Sequence, residues 1–416
     1  MTLSGAMPAL RYKNFRIFFA GQSLSLLGTW MQTVANSWLV YRLTGSATLL
    51  GITAAAQQLP FLLVSPLAGV MAERSNRQRL LLITQVVSLA QVLTLAALTF
   101  THAVQVSHVI ALSLLMGVMA AIEAPTRQSF LLELVQGREA LPNAIALQSM
   151  MYQAARFVGP SLAGLVLAFW GEAWCYTVNA LTYIGIIVVY CLLRPELSRR
   201  ARRTSRWTED LADGFRYAYG YIGTRRLLLM LGMLGLFSAP WSSLMPIFAA
   251  ETFAGNSGTL GMLISAMGMG AVCATTYLAF RSSVRGLGTL LCFTGVIAGV
   301  ALCLFALSSL LWLSLLLLAI FGFGLVASVA SINTLLQTIA DDDQRSRVLG
   351  LYAMTFLGLG PFGNFIAGAL ADRIGAHETL LGCGVIIVLS TLVFASGRKS
   401  WIKSVRPALQ RNGTIE

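Results

Sequence analysis

A chain of 416 residues that is 56% hydrophobic and only 11% charged, with a mean hydropathy of +0.74, is too apolar to stay dissolved as a globular protein. Its net charge of +13 has the sign of a nucleic-acid binder but not the layout, because the basic residues gather in short breaks between long apolar runs. The composition therefore indicates an integral membrane protein with the lipid bilayer as a partner and no nucleic acid, and it excludes a soluble domain on a single anchor.

The apolar runs predict about twelve spans, at 14–41, 46–72, 80–101, 107–132, 143–169, 173–193, 226–250, 258–280, 286–307, 309–338, 348–370 and 378–396. Barrel-type alternation is absent, so the expected fold is an all-α membrane protein. If the N-terminus is cytoplasmic, all but three of the 29 Lys and Arg fall on the cytoplasmic side. Arg42 and Arg373 fall outside, and Arg156 falls within the membrane. That skew predicts both termini in the cytoplasm.

The first span follows Arg11, Lys13 and Arg16, is too long for a removable signal peptide and lacks a small-residue cleavage site, so it is expected to be retained. Within it Gln22, Ser25, Thr29, Gln32 and Asn36 recur at steps of three and four. Such a polar face must point toward protein or a wet cavity. Lining a substrate cavity and holding helices together are both open readings.

The second span ends in "GVMAERSNRQRLLL" (69–82). Gly69 permits close helix packing, Glu73 sits where the helix leaves the membrane, and Arg74, Arg77 and Arg79 crowd a short turn, as in a gating loop. The run resembles the signature loop between helices 2 and 3 of the major facilitator superfamily, Gly-x-Leu-Ala-Asp-Arg-x-Gly-Arg-Arg. Glu73 replaces the usual Asp and Asn76 the usual Gly, so Asn76 is expected to make the tight turn with left-handed geometry.

In the fourth span Glu123 is the one acid well inside an apolar run, with Arg127 one turn on. It serves either an i,i+4 salt bridge or proton coupling. The fifth span contains "YQAARFVGPSLAG" (152–164). Gln148, Tyr152 and Arg156 share a side of this helix, and an arginine at that depth costs at least ~2.5 kcal/mol on insertion scales. Arg156 either floors the cavity and meets an anionic group of the cargo, or donates to span 1 at Gln32 or Thr29.

Gly159, Pro160, Ala163 and Gly164 resemble the superfamily's helix 5 antiporter motif, Gly-x-x-x-Gly-Pro-x-x-Gly-Gly, with Ala155 and Ala163 at two of its glycines. The resemblance implies export by antiport; a kink without bearing on direction is the alternative.

After six spans comes the longest polar segment, in which Trp207, Leu211 and Phe215 recur every four residues. An interfacial amphipathic helix and, for 197–206, a basic linker are the two readings. The expected organisation is a six-helix bundle at 1–193, the linker at 194–225, and a second bundle with a basic tail at 226–416.

The halves echo each other. "TGSATLLG" (44–51) opens span 2 and "AGNSGTLG" (254–261) opens span 8, while "FVGPSLAG" (157–164) is answered by "GLGPFGNFIAG" (358–368). Parallel repetition of this kind predicts a transporter with its site between the halves near the midplane. The second half's equivalent loop, "FRSSVRG" (280–286), keeps only Arg281 and Arg285. "GALADRIGA" (368–376) resembles the signature more closely but maps to the outside, where Asp372 and Arg373 are either a structural cap or a gate.

Three longer stretches, "LLGTWMQTVANSWLVYRLTGSATLLG" (26–51), "AAQQLPFLLVSPLAGVMAER" (55–74) and "APTRQSFLLELVQGREALPNAIAL" (124–147), resemble the bacterial branch that contains siderophore exporters and macrolide efflux proteins. This resemblance implies a twelve-helix, multi-pass protein of the bacterial cytoplasmic (inner) membrane. It implies a secondary transporter that exports a small polar or amphipathic substrate by proton antiport; an anionic group on that substrate is the expectation set by Arg156 alone. Import or facilitated passage on the same fold is the alternative.

An enzyme is not expected, since His102, His108 and His377 all lie near outer loops and form no catalytic set. Neither a cofactor nor a metal is expected, and a monomer is. The six cysteines fall inside spans without ligand spacing and read as small buried hydrophobes.

Overall fold

The structure, a computed structural model, describes residues 8–135, 140–194, 221–281, 286–340, 344–398, 401, 402 and 405. Side chains at 66, 69, 70, 72–74 and 345–347 lie outside that description. The proposed interfacial helix with Trp207, Leu211 and Phe215 lies outside the described residues as well.

Twelve long helices account for most of what is described. They are α1 (Lys13–Thr44), α2 (Ala47–Arg74), α3 (Arg77–Phe100), α4 (Val106–Leu134), α5 (Leu141–Trp170) and α6 (Glu172–Leu192). There follow α7 (Ile222–Thr252), α8 (Ser257–Ala279), α9 (Leu287–Leu307), α10 (Leu311–Ile339), α11 (Arg345–Ile374) and α12 (Ala376–Ser396). Within α7 the helix is regular over Ile222–Ser238 and Pro240–Ile247 and closes with a π turn at Phe248–Thr252.

Ten of these helices carry a stretch long and apolar enough to cross a membrane. The other two, α1 and α5, are 32 and 30 residues long, so length is not what sets them apart. They are the helices interrupted by the polar stripe and by Gln148, Gln153 and Arg156.

Local sequence explains the ends. Gly45 closes α1 with φ of 60°, and its N–H bonds the Tyr41 carbonyl at 2.7 Å. One residue each, Gly171 (φ 83°) and Gly375 (φ 100°), joins α5 to α6 and α11 to α12, a turn that few other residues could make. Asn76 corrects an expectation: it is extended (φ −67°, ψ 111°), and its side chain caps α3 by accepting from the Arg79 N–H at 3.0 Å. The charged loop is therefore short because Asn is a good N-cap, not because it adopts left-handed backbone.

The chain divides into two compact units. The first comprises 1–45, 56–203 and 255–265, and the second 46–55, 204–254 and 266–416. In the first, α1 packs on α6 and α5, and α3 packs on α6 and α4; in the second, α7 packs on α12 and α11, and α9 packs on α12 and α10. The division passes through α2 after Ala55 and through α8 after Ser265, so the opening turns of these two helices each belong to the unit built mainly by the other half of the sequence.

Glycines let the backbones meet closely. In the first unit a Cβ at Gly159 would lie 2.6 Å from the Trp30 Cβ; in the second, one at Gly363 would strike the Leu236 carbonyl. Of the cysteines, Cys175 and Cys383 are buried as expected, but Cys191 and Cys273 are exposed on helix surfaces. A thiol is apolar enough to face acyl chains, so a position inside a span did not require burial in protein.

Candidate substrate-binding and coupling site

The polar stripe of α1 is not an open surface. Gln22, Ser25, Gln32 and Asn36 are all buried, with Gln32 fully so. Gln32 Nε2 donates to Gln91 Oε1 of α3 at 3.1 Å, and its Oε1 accepts from Asn179 Nδ2 of α6 at 2.6 Å. Asn36 Nδ2 reaches Ser113 Oγ of α4 at 3.4 Å. Thr29 donates to the Ser25 carbonyl of its own helix at 2.9 Å. The face therefore ties α1 to α3, α4 and α6. Helical period predicted which residues share it, while the neighbouring helices fill it with hydrogen-bonding groups that the pattern could not specify. Gln22, Gln32 and Asn36 thus make the interhelical bonds that one of the two expected readings called for, while Ser25 is buried on the same face.

At the end of the stripe nearest the α1 N-terminus, Gln22 Nε2 approaches Glu123 Oε1 of α4 at 3.4 Å. Arg127 Nη1 donates to the same oxygen at 2.6 Å, forming the i,i+4 pair. The Arg127 guanidinium also lies 4.8 Å from the centroid of the Tyr152 ring on α5. Gln22 Oε1 and Arg127 Nε are buried with no hydrogen-bond partner among the described residues. Leaving such buried groups without a partner is costly.

One turn past Tyr152, the Arg156 guanidinium lies 5.7 Å from the Trp30 ring of α1. Trp30 and Tyr152 pack against the same buried residues, Leu26, Met151 and Ala155. Among the described residues no carboxylate pairs with Arg156. Its expected alternative partners, Gln32 and Thr29, are bonded elsewhere. A cation–π contact offers roughly 0.5–2 kcal/mol, which does not replace an anion for an arginine at this depth. Gln148, Tyr152 and Arg156 are each partly accessible, unlike the buried part of the α1 stripe.

In the charged loop, Arg77 is buried and ion-paired with Glu133 of α4, an acid that the sequence pattern did not single out. Glu133 sits at the end of its span, where an acid reads as loop. Gln78 Nε2 donates to the carbonyls of Tyr190 (2.6 Å) and Leu193 (3.0 Å), fixing α3 to α6. The Arg77–Glu133 pair and the Gln78 bonds join α3 to α4 and α6 within the first unit. Gly69, Glu73 and Arg74 lie in helical backbone, and their side chains are outside the described residues.

The family described as "Transmembrane secretion effector", a major facilitator group, matches residues 4–407. The chain belongs to the major facilitator superfamily. Among its relatives in this superfamily, the staphyloferrin A transporter of Staphylococcus aureus is 25% identical over 91% of the chain and 95% of that protein. The multidrug efflux pump Tap of Mycolicibacterium fortuitum is 27% identical over 88% and 91%, and macrolide efflux protein A of Streptococcus pyogenes 21% identical over 92% and 96%.

The nucleoside transporter NupG superposes with a TM-score of 0.70 at 13% identity, covering 92% of the chain and 98% of that structure. A bacterial homolog of the human lysosomal transporter Spinster, inward-facing and occupied, gives 0.71 at 14% identity, with 94% and 97% covered. These two likenesses concern the fold. The protein is thus a multi-pass membrane transporter of the major facilitator type, and the relatives it matches are transporters rather than enzymes.

Proposed function

We propose that this major facilitator is a secondary exporter of a small polar or amphipathic molecule bearing an anionic group, in the class of siderophores or drug-like compounds. In this reading it lies in a bacterial inner membrane with both termini cytoplasmic, is a monomer, and consists of two six-helix repeats that alternate access to a central site. Similarity to the efflux proteins Tap and macrolide efflux protein A favours efflux over import. The equivalent packing of α1, α3, α5 and α6 and of α7, α9, α11 and α12 supports the repeats.

The observation that carries the cargo class is Arg156, a guanidinium over Trp30 with no carboxylate partner among the described residues. An anionic group on the cargo would supply the missing charge, and the planar donor fork suits a carboxylate. Protons enter at Glu123. Protonation there would release Arg127 from its pair, and Gln22 stands beside the same oxygen to hold the neutral acid. Thr29, Gln148 and Tyr152 line the approach to these two arginines.

Comparing small anionic compounds retained by a deletion strain with those in its medium would identify the cargo. Arg156→Lys should then restore export partly and Arg156→Gln hardly at all, at unchanged membrane abundance. Full export of an anionic cargo by the Gln variant would refute the assignment. For Glu123→Gln, the expected outcome is loss of gradient-driven efflux with downhill exchange retained.

A further inference from the structure

The α1–α2 turn brings together residues that lie more than three hundred positions apart. Asp372, on the last turn of α11, directs its carboxylate at the N-terminus of α2. Oδ1 accepts from the Ala47 N–H at 2.7 Å, and Oδ2 accepts from the Ser46 hydroxyl at 2.8 Å and the Thr48 N–H at 3.0 Å. The first N–H groups of a helix lack partners of their own and carry the positive end of its dipole, so a carboxylate is the natural acceptor. Beneath the carboxylate the two backbones touch. A Cβ at Gly368 would lie 2.5 Å from the Ala47 carbonyl, and one at Gly51 would collide with the Asn364 carbonyl.

Residues 46–55 are thus held in the second unit, while the same helix from Ala56 onward is held in the first. There Gln57 bonds Thr33 at 3.4 Å, and Gly117 of α4 abuts Gln57 and Pro60. A single helix cannot stay fixed to both units if they move against each other. Only Gly45 and Ser46 separate α1 from α2, so the opening of α2 must travel with α1. The contact with α11 is the one free to break. Asp372 is also solvent-exposed, so its release strands no buried charge, whereas parting the buried Arg77–Glu133 pair would.

We propose that the Asp372 carboxylate is a releasable clasp that holds the outer end of α2 to α11 and lets go each time the transporter opens to the outside. This rests on the alternating-access reading above and adds a gate that reading does not contain. Asp372 is then a conformational device rather than a static cap of its own helix end, since among the described residues its hydrogen bonds go to α2 and to the turn before it.

Spin labels at Leu43 and Ile374, both exposed, report the separation of the α1 and α11 ends. They are placed in a chain whose six cysteines are replaced, and read as a distance distribution by pulsed electron resonance. The unmodified clasp should give a dominant short and a minor long population. Asp372→Ala should raise the long-to-short ratio about tenfold, as loss of charge-assisted hydrogen bonds implies. Gly51→Ala, which leaves the carboxylate intact but wedges the backbones apart, should shift the ratio the same way and serves if the first variant fails to fold. Two populations in the parent with both variants leaving the ratio unchanged would overturn the clasp. A single distance under every condition would instead overturn alternating access itself, and the clasp with it.

Discussion

The openings of α2 and α8 carry the same repeated sequence motif, and each packs on the Gly-Pro helix of the other half of the sequence, but by different chemistry. The α2 opening is held to α11 by the charged clasp at Asp372. The α8 opening is held to α5 without charge. A Cβ at Gly261 would lie 2.7 Å from the Gly164 Cα and 2.8 Å from the Pro160 carbonyl, and Ser161 and Ser265 share a hydroxyl pair at 2.7 Å. Charge-assisted bonds concentrate strength in one breakable place, whereas backbone contact spreads weak attraction along the helices. The α2 junction should therefore act as a switch and the α8 junction as a smooth bearing surface.

The largest effect that can break this comparison comes from bulk. Gly261→Val meets backbone on α5 that cannot yield, at a cost of roughly 1–3 kcal/mol, and should weaken closure of the α8 junction and lower the melting temperature. Gly258→Ala is its control, because a Cβ there meets the Asn256 side chain at 3.0 Å and nothing else closer than 3.9 Å. Equal effects of the two would show that close backbone approach is not what holds α8.

Losing charge should come next. Asp372→Ala removes bonds to an exposed carboxylate, and with water compensating the freed groups the net loss should be about 1.4 kcal/mol, equivalent to the tenfold shift in the distance ratio. Ser161→Ala removes one neutral hydroxyl pair and should cost about 1 kcal/mol, read as a smaller change in the same distance distribution. A larger shift for Ser161→Ala than for Asp372→Ala would invert the assignment of switch and bearing. The smallest effect is expected from Arg42→Gln. The Arg42–Glu172 pair is half exposed on the arginine side and lies wholly within the first unit, so its loss should cost at most ~1 kcal/mol and leave the distribution unmoved.

The number of long helices was legible because a bilayer demands long apolar runs, and the paired motifs at 44–51, 254–261, 157–164 and 358–368 were legible because glycine and proline stand out in such runs. Partners were not. The period of α1 gives the common face of Gln22, Ser25, Gln32 and Asn36, but nothing local says that Gln91, Asn179 and Ser113 meet it. Glu133 was hidden at a span boundary, where an acid reads as loop rather than as half of a buried pair. Asp372 was noticed for its motif, yet its role depends on a helix start on the far side of the chain. Glu123 and Arg127 were the exception, because four residues on one helix fix a contact without tertiary knowledge.

The most direct test of the account is whether the α8 junction must move during transport. Ser161→Cys with Ser265→Cys, in a chain otherwise free of cysteine, places two thiols where the hydroxyls now stand 2.7 Å apart. Oxidation to the disulfide should stop export of the compound retained by the deletion strain, and a reductant should restore it. Export at the uncrosslinked rate by fully crosslinked protein would contradict the account.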